Sequence, residues 1–428
     1  MIMKITICTF GSRGDIQPYL ALAVGLQKAG HTVTLAAPHN FAEWIESYGV
    51  KTYPIRFDSQ AFLQKPEMQA IMKGRNLVRQ LQSFQRVMKL SQAEGLDDCW
   101  QASQDAEFVI LGTTTNGGVD IASQRDIPMA FTSLQPSLPT RAFPSIFVSF
   151  SLGGGFNMLT YSLSMRLIWL IMGGAINYWH TTRFGLPPWR SMQEMVNACS
   201  FDTPWLMGYS PLVLPKPADW TEYHHLTGYW LLDTPSNWQP SPELARFLES
   251  GPAPVYVGFG SMSDKEPERR TRLALHALEL TGQRGVLATG WGGVARLETS
   301  ANVFFVDDVP HSWLFPRMAA VVHHGGAGTT AEGLRAGVPG LIAPFMMDQY
   351  FWADQLVKLG LGPRMGDAKR LTSEKLAQAI HTALTDTALK LRASAFGEKI
   401  RAENGVARAV EIIDRHALDF NGRRTRRH

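Results

Sequence analysis

Cysteine is scarce in this sequence. Its 428 residues include three, Cys8, Cys99 and Cys199. They are too far apart for a disulfide framework, and none stands at a metal-ligand spacing. That usage points to a reducing, cytoplasmic setting, with peripheral contact at the inner membrane face left open. Charge is scarce as well: Asp, Glu, Lys and Arg make up 18% of the chain, and the net charge is +4. So mild a positive balance suits an anionic ligand or an acidic lipid surface, and it is too weak for a nucleic-acid partner. Internal repeats and low-complexity segments are missing. No secretory leader is visible, because the apolar run Ile5 to Phe10 is short and stops at Gly11, as a buried first strand does. The stretch Ala142 to Met165 holds no charge, and the apolar Leu167 to Ile176 follows. Pro144, Gly153-Gly154-Gly155 and Asn157 interrupt the first part and Arg166 divides it from the second. A spanning helix, which needs about twenty predominantly apolar residues, is therefore not expected.

Apolar residues make up 45% of the chain, ample core for two domains at this length. Lys4 to Phe10 reads as a strand and Gly11-Ser12-Arg13-Gly14-Asp15 as a turn. Pro18 to Lys28 reads as a helix capped by Gly30, and His31 to Ala37 as the next strand. The turn stands at a strand's carboxyl end, where open α/β sheets take their ligands. Val50 to Phe57, Phe108 to Leu111 and Met129 to Thr132 are further strands. Between them Leu77, Leu81, Phe84 and Met88 recur on one helical face. Residues 231–252 carry Pro235, Pro240, Pro242 and Pro252, a linker composition. Beyond it, Val255 to Phe259, Val286 to Ala288, Val303 to Val306 and Ala320 to Val322 read as strands. Arg269 to Leu280 and Thr372 to Leu384 read as helices, the latter with Thr372 as N-cap. The expected division is a first domain over 1–235, a linker over 236–252, a second domain over 253–400, a closing helix over 401–417 and a basic tail over 418–428.

The most informative stretch is Val321 to Phe351. A strand end leads into the turn His323-His324-Gly325-Gly326-Ala327-Gly328. A helix opens near Thr329-Thr330 and ends at Gly337. A second strand, Leu341 to Ala343, is closed by Pro344, and Asp348-Gln349 enters another helix. Bare backbone at such a turn lets a ligand approach, and the unpaired N–H groups of a helix start attract an anion such as a diphosphate. The turn has no Gly-Lys-Ser/Thr ending, so it is not a P-loop. It also lacks the G-x-G-x-x-G spacing of dinucleotide sites. No Asp-x-Asp triplet occurs in the chain, so a metal-bridged diphosphate is not implied.

His324, Gly326, Thr329, Thr330, Glu332, Asp348 and Gln349 together resemble the nucleotide-sugar signature of family 1 glycosyltransferases. The string Pro310-His311-Ser312-Trp313-Leu314-Phe315-Pro316 narrows the resemblance to sterol 3-β-glucosyltransferases and their bacterial relatives. Gly154 to Trp189 and Ser210 to Trp230 do the same. The likeness runs from Gly11 to about Gly362. It implies an α/β protein of GT-B fold: two Rossmann-like doubly wound domains facing across a cleft, with the last helix crossing back to the first. It implies an inverting, metal-independent transfer of a hexose, glucose for preference, from a UDP-sugar co-substrate, with no further cofactor. The acceptor implied is a hydroxyl of a hydrophobic molecule such as a sterol. The donor would be held by Ser261, His324, Gly326, Ala327, Gly328, Thr329, Thr330, Glu332, Asp348 and Gln349. Glu332 falls to the ribose hydroxyls and Asp348-Gln349 to the hexose, with Val309, Pro310 and His311 near the nucleotide base.

Quieter readings stand beside these. His324 could be a core histidine, Thr329 and Thr330 mere caps, Glu332 an acid favoured by the helix dipole, and Asp348 a helix cap. Asp15 is either the catalytic base, its pKa raised in an apolar cleft, or the cap of the first helix. Plant relatives of the family use a histidine near this point, and this turn has none; the sterol and antibiotic branches have an aspartate there as the proposed base. Arg13 either orients Asp15 or packs across the turn. Residues 141–190 are core helices, or an acceptor pocket that includes Phe147, Phe150, Met158 and Trp169, or a face dipping into a membrane surface. The basic Arg423 to His428 end is solvated or touches acidic lipid. A macrolide or a flavonoid suits the same pocket composition as a sterol. A nucleotide-sugar epimerase shares the fold, although it needs no greasy acceptor segment.

Overall fold

The computed structural model describes residues 2–57, 77–260, 267–290, 294–298 and 300–427. The chain divides into two compact units: Met1–Pro211 with Lys216–Trp230 and Asn404–His428, and Leu212–Pro215 with Leu231–Glu403.

The first unit is built on seven parallel strands: β1 (Lys4–Cys8), β2 (Thr32–Pro38), β3 (Lys51–Ile55), β4 (Phe108–Leu111), β5 (Met129–Ser133), β6 (Trp205–Met207) and β7 (His224–Leu226). Their order is β3-β2-β1-β4-β5-β6-β7. Ile5 lies opposite Val33 on one side and Phe108 on the other. Ile5, Ile7, Val33, Leu35, Val109 and Ile110 are all buried. Such near-continuous apolar runs fit strands covered on both faces.

The helix after β1 spans Arg13–Lys28 and starts five residues before the expected Pro18. Pro18 suits a first helical position, but Ser12 and Asp15 form a capping box that opens the helix earlier. What was read as a turn ending at Asp15 is thus the helix's first turn. The amphipathic stretch after β3 is the helix Leu77–Ala102, with Met88 buried and Phe84 packed partly on the core. The helix Gly154–Phe184 runs unbroken through Arg166 for 31 residues, where the sequence suggested a division. It is long and apolar enough to cross a membrane by length and composition, which corrects the sequence-based exclusion on those two grounds.

The last helix, Gly405–Arg427, belongs to this first unit. It continues through the segment expected to be a tail, and Arg423 pairs with Asp202. Its side chains Val406 and Val410 pack where Gly25 leaves room on the first helix.

The second unit has five parallel strands: β8 (Val255–Gly258), β9 (Gly285–Ala288), β10 (Val303–Val306), β11 (Ala320–His323) and β12 (Gly340–Ile342), in the order β10-β9-β8-β11-β12. Residues 236–252, expected as linker, include the helix Pro242–Glu249. Ser241 caps it by accepting the Leu244 N–H at 3.2 Å, and Pro242 takes the first helical position. Leu244 and Phe247 are buried in the cluster of Tyr256, Val286 and Phe315. Proline there starts a helix rather than marking a tether. On the other side of the sheet, Ala274, Ala277 and Leu278 of the helix Pro267–Thr281 share a core with Leu376, Ile380 and Ala383 of the helix Ser373–Thr385.

Gly405 tests how the last helix is seated. A Cβ there would meet the Tyr229 carbonyl oxygen and come within 2.7 Å of the Gly228 carbonyl oxygen. Backbone cannot rotate away as a side chain can. Gly405→Ala is expected to destabilise the protein by about 1–3 kcal/mol despite alanine's better helix propensity. Thermal unfolding checks the loss, and limited proteolysis near residue 404 should become faster.

Candidate functional site

In each sheet the strand order reverses beside the first strand of the unit. Strands β2 and β4 flank β1, and β9 and β11 flank β8. The loops leaving such neighbours diverge, and they open a crevice at the carboxyl ends of the strands. In the second unit those loops carry Gly260 and His324–Gly326. In the first they carry Ser12–Asp15 and Gly112–Thr115.

Strand β11 ends at His323, which is buried. Its Nδ1 accepts the Gly325 N–H at 3.1 Å. Burial pushes its pKa well below the ordinary value, so the ring is neutral and able to accept. Gly325 has φ +93°, and a Cβ there would lie 2.6 Å from Ile342 Cγ2. Only glycine makes this turn. The sequence reading places His323 in the turn without a role of its own; a second histidine before the glycines is the signal that was available.

Gly326 is the N-cap of the helix Ala327–Ala336, which starts two residues before the expected Thr329. Its first intrahelical bond runs from the Thr330 N–H to the Gly326 carbonyl at 2.9 Å. The N–H groups of Ala327, Gly328 and Thr329 precede that bond and have no partner within the helix. Thr330 and Thr329 are not caps: the Thr330 hydroxyl donates back to the Gly326 carbonyl at 2.9 Å, and Thr329 stands half-buried in the first turn.

The His324 ring lies between two glycines. A Cβ on Gly260 would be 2.7 Å from its Cε1, and one on Gly326 would be 2.6 Å from its Nε2. Its Nδ1 is buried without a hydrogen-bond partner among the described residues. Burial lowers its pKa to about 4, which keeps the imidazole neutral. Glu332, on the second turn, is 3% exposed. Neither of its carboxylate oxygens has a hydrogen-bond partner among the described residues. Arg335 Nη1 stands 3.8 Å away, beyond hydrogen-bond reach, while Arg335 Nη2 pairs with Asp233. Burial raises the Glu332 pKa to about 7.

Asp348 opens the helix Asp348–Lys358 as its first residue rather than its cap. The residue before it, Met347, has φ +52°, a strained conformation for a side-chain-bearing residue. Trp352 Nε1 donates to Asp348 Oδ2 at 3.1 Å. Gln349 is buried, and its Oε1 accepts the Phe345 and Met346 N–H groups at 2.8 and 3.2 Å. Pro310 precedes the short helix His311–Leu314. The His311 ring stacks on Phe315 with centroids 4.2 Å apart, and Val309 packs against the same core. Ser261 lies outside the described residues.

In the first unit, Asp15 Oδ2 accepts the Ser12 N–H at 2.8 Å and the Ser12 hydroxyl at 3.0 Å. Capping and the role as base expected from the sequence therefore fall to one carboxyl group, whose Oδ1 lies outside the capping box. Burial, partly offset by these bonds, raises the Asp15 pKa above the ordinary carboxylate value. The Arg13 guanidinium stacks over the Trp44 ring at 4.6 Å. The Thr114 hydroxyl donates to the Phe10 carbonyl at 2.8 Å and accepts the Phe10 N–H at 3.1 Å, which ties the two loops together. A pair absent from the sequence reading stands nearby: buried Asp120 is 2.7 Å from His180 Nδ1, and this fastens the Gly154–Phe184 helix. Phe147 and Phe150 are surface residues, 46 and 57% exposed. Met158 is half-buried, and Trp169 packs on the core beneath. These four do not form a common buried lining of the kind expected for an acceptor pocket.

Comparison with known proteins places both units. Residues 5–142 match the family model of the glycosyltransferase family 28 N-terminal domain. Residues 294–414 match that of the erythromycin biosynthesis protein CIII-like C-terminal domain. The chain is 34% identical to a sterol 3-beta-glucosyltransferase of Arabidopsis thaliana, over 97% of this chain and 68% of that protein. It is also 34% identical to the sterol 3-beta-glucosyltransferase of Cryptococcus neoformans, over 96% of this chain, which spans 27% of that longer protein. Among solved structures, the glycotransferase of kitacinnamycin is similar with a TM-score of 0.70 at 21% identity, over 97% of this chain and 99% of that one. The fold is GT-B, two parallel-sheet α/β domains.

The buried Glu332 makes stability depend on pH. Between its unfolded value of 4.5 and its folded value of about 7, the folded state holds a proton that the unfolded chain has released. Its contribution is fully present below the lower value and is lost as pH rises through the higher one. Across that window wild type should lose about 3 kcal/mol relative to Glu332→Gln. Urea unfolding of both proteins at pH values on either side measures the difference.

Proposed function

Because this chain belongs to the glycosyltransferase family of the sterol 3-beta-glucosyltransferases, we propose that it transfers a hexose, glucose foremost, from a UDP-sugar to a hydroxyl of a lipophilic acceptor such as a sterol, with inversion at C1. The observation that carries the reading is Glu332, a buried carboxylate with no donor among the described residues, on the same helix whose first N–H groups have no partner within the helix. A ribose diol supplies two O–H donors to such a group. A diphosphate fits the helix start, where backbone N–H groups and the dipole together favour negative charge.

The remaining roles follow from the chemistry of transfer. His324, neutral and set between Gly260 and Gly326, donates one N–H towards the diphosphate. His311, stacked flat on Phe315, and its neighbours Val309 and Pro310 border the nucleotide base. Asp348 and Gln349 hold hexose hydroxyls, and the strained Met347 fixes the point from which Asp348 projects. Asp15 takes the acceptor proton as the acceptor oxygen attacks C1. The bond from C1 to the UDP oxygen breaks, and UDP leaves with the electron pair. Donors already in place for that growing charge contribute the largest share of such a rate enhancement. A carboxylate whose proton affinity is raised by burial is the better acceptor near neutral pH.

The double duty of Asp15 gives a discriminating pair of variants. Asp15→Asn keeps an oxygen for the Ser12 N–H but cannot take a proton, so transfer should fall at least about 10²-fold with little change in thermal midpoint. Asp15→Ala should lose transfer and, in addition, about 1 kcal/mol of stability with the cap. Mass spectrometry of UDP-glucose incubated with and without a sterol reads turnover. Unchanged turnover in Asp15→Asn would remove Asp15 as the base. An epimer formed without acceptor would replace transfer by isomerisation.

Donor binding should also depend on pH. Ribose hydroxyls donate to the charged form of Glu332, so below about pH 7 binding must expel a proton. Affinity for UDP-glucose, whose diphosphate does not titrate in this range, is expected to rise up to about tenfold per pH unit towards that value and then level off. Calorimetry in two buffers of different ionisation heat counts the released proton. Glu332→Gln should release none.

A further inference from the structure

The helix Gly154–Phe184 is inverted in its first half. Its buried side is polar: Asn157 and Thr160 are almost fully buried. Asn157 Nδ2 donates to the Arg141 carbonyl at 2.8 Å, the Thr160 hydroxyl accepts the Ser145 N–H at 2.9 Å, and the Ser164 hydroxyl donates to Ser145 Oγ at 2.9 Å. Its outer side is leucine. Leu159, Leu163, Leu167 and Leu170 are 53, 56, 53 and 54% exposed. Steps of four, four and three put them on one face over about 16 Å. Exposed Leu152, Phe147 and Phe150 precede the stripe in the chain. A water-facing helix presents the opposite pattern, and contiguous apolar surface of this kind marks a partner.

The charges indicate what that partner is. From Ile127 to Gln193 the sequence contains no Asp or Glu, while Arg141, Arg166, Arg183 and Arg190 lie within it. Arg166 is exposed and sits beside Leu163, Leu167 and Leu170 on the same face. On the helix Leu77–Ala102, which packs alongside, Lys89 stands 4.5 Å over the ring of Tyr178. Tyr178 is itself exposed at the far end of the stripe, and Leu90 is exposed next to Lys89.

We propose that this face docks the protein on an anionic lipid bilayer. The leucine stripe lies in the headgroup–acyl boundary, with Arg166 and Lys89 at the lipid phosphates and Tyr178, beneath Lys89, at the interface. The helix lies on the membrane and does not cross it. Tyr161, Ala175, Ile176, Trp179 and His180 on its other side are buried, and His180 is bonded to Asp120. A stripe of leucine flanked by Arg166 and Lys89, on a helix that itself carries no acid, is complementary to anionic lipid; the acids of the neighbouring helix include Asp97, which pairs with Arg183. The surface stands independently of the reaction proposed above, since binding to vesicles is read without turnover.

The test is co-sedimentation of the full chain with vesicles of phosphatidylcholine mixed with phosphatidylserine, and with phosphatidylcholine alone. Wild type is expected to sediment with the mixed vesicles, less so as salt rises. Leu163→Gln with Leu167→Gln should weaken this at least about tenfold while the thermal midpoint stays unchanged, because both side chains already face water. Leu159→Gln with Leu170→Gln is the second pair, should the first disturb folding. Arg166→Gln should reduce binding several-fold on the mixed vesicles alone. Wild type left in the supernatant with both lipids overturns the proposal, as does undiminished binding of the two leucine pairs. A dimer that the leucine variants abolish, without vesicle binding, would assign the face to a second copy of this chain and equally overturn it.

Discussion

A carboxylate buried on the second turn of a helix, with no donor among the described residues, is what the site in the second unit has to accommodate. Leaving a buried polar group unpaired costs on the order of 1–3 kcal/mol, and more when it is charged. The local sequence does not relieve it. Arg335, one turn on, turns its Nη2 to Asp233 and leaves Nη1 at 3.8 Å from Glu332. His324 Nδ1, on the loop that enters the same helix, is buried and has no partner among the described residues as well. Two such groups, beside three backbone N–H groups that have no partner within their helix, form a set of polar positions left open among the described residues. A nucleoside diphosphate has the matching parts: hydroxyls for the acid and an anion for the helix start.

The glycines and the strained residue around this set have the same logic. Gly260 and Gly326 leave the space in which the His324 ring stands, and Gly325 turns the chain where a side chain would strike Ile342. Met347 holds a positive φ with no glycine to ease it. Strain persists where surrounding structure over-determines it, and here Gln349 does so by binding the Phe345 and Met346 N–H groups. The first unit uses a more economical device. Asp15 caps the helix that follows β1 through Oδ2, so the group proposed to accept the proton is also the one that fixes the turn. Position and chemistry there cannot be varied separately.

Much of this architecture was legible in the residues. The strand Phe108–Leu111 is a fully buried apolar run, and it came out with its bounds intact because a strand covered on both faces leaves no polar residue to blur its ends. The glycine turn, His324 and Glu332 were legible as a set. Helix starts were not. Ser12 with Asp15 is a capping box that proline at position 18 obscured, and glycine at position 326 caps a helix that threonines at 329 and 330 seemed better suited to begin. The helix Pro242–Glu249 was hidden by proline counting, although Ser241-Pro242 is itself a start signal. The inverted helix Gly154–Phe184 defeated pattern reading for a physical reason: with apolar residues outside and polar ones inside, periodicity gives no sign of which face is buried. The partners of Asp120 and Gln349 come from distant segments or a local fold-back, and no spacing rule encodes them.

A crystal structure with UDP bound tests the central claim most directly. The account predicts the diphosphate against the N–H groups of Ala327, Gly328 and Thr329, and both ribose hydroxyls on the carboxylate of Glu332. UDP bound elsewhere, or a Glu332 that still lacks a donor in the complex, would contradict it.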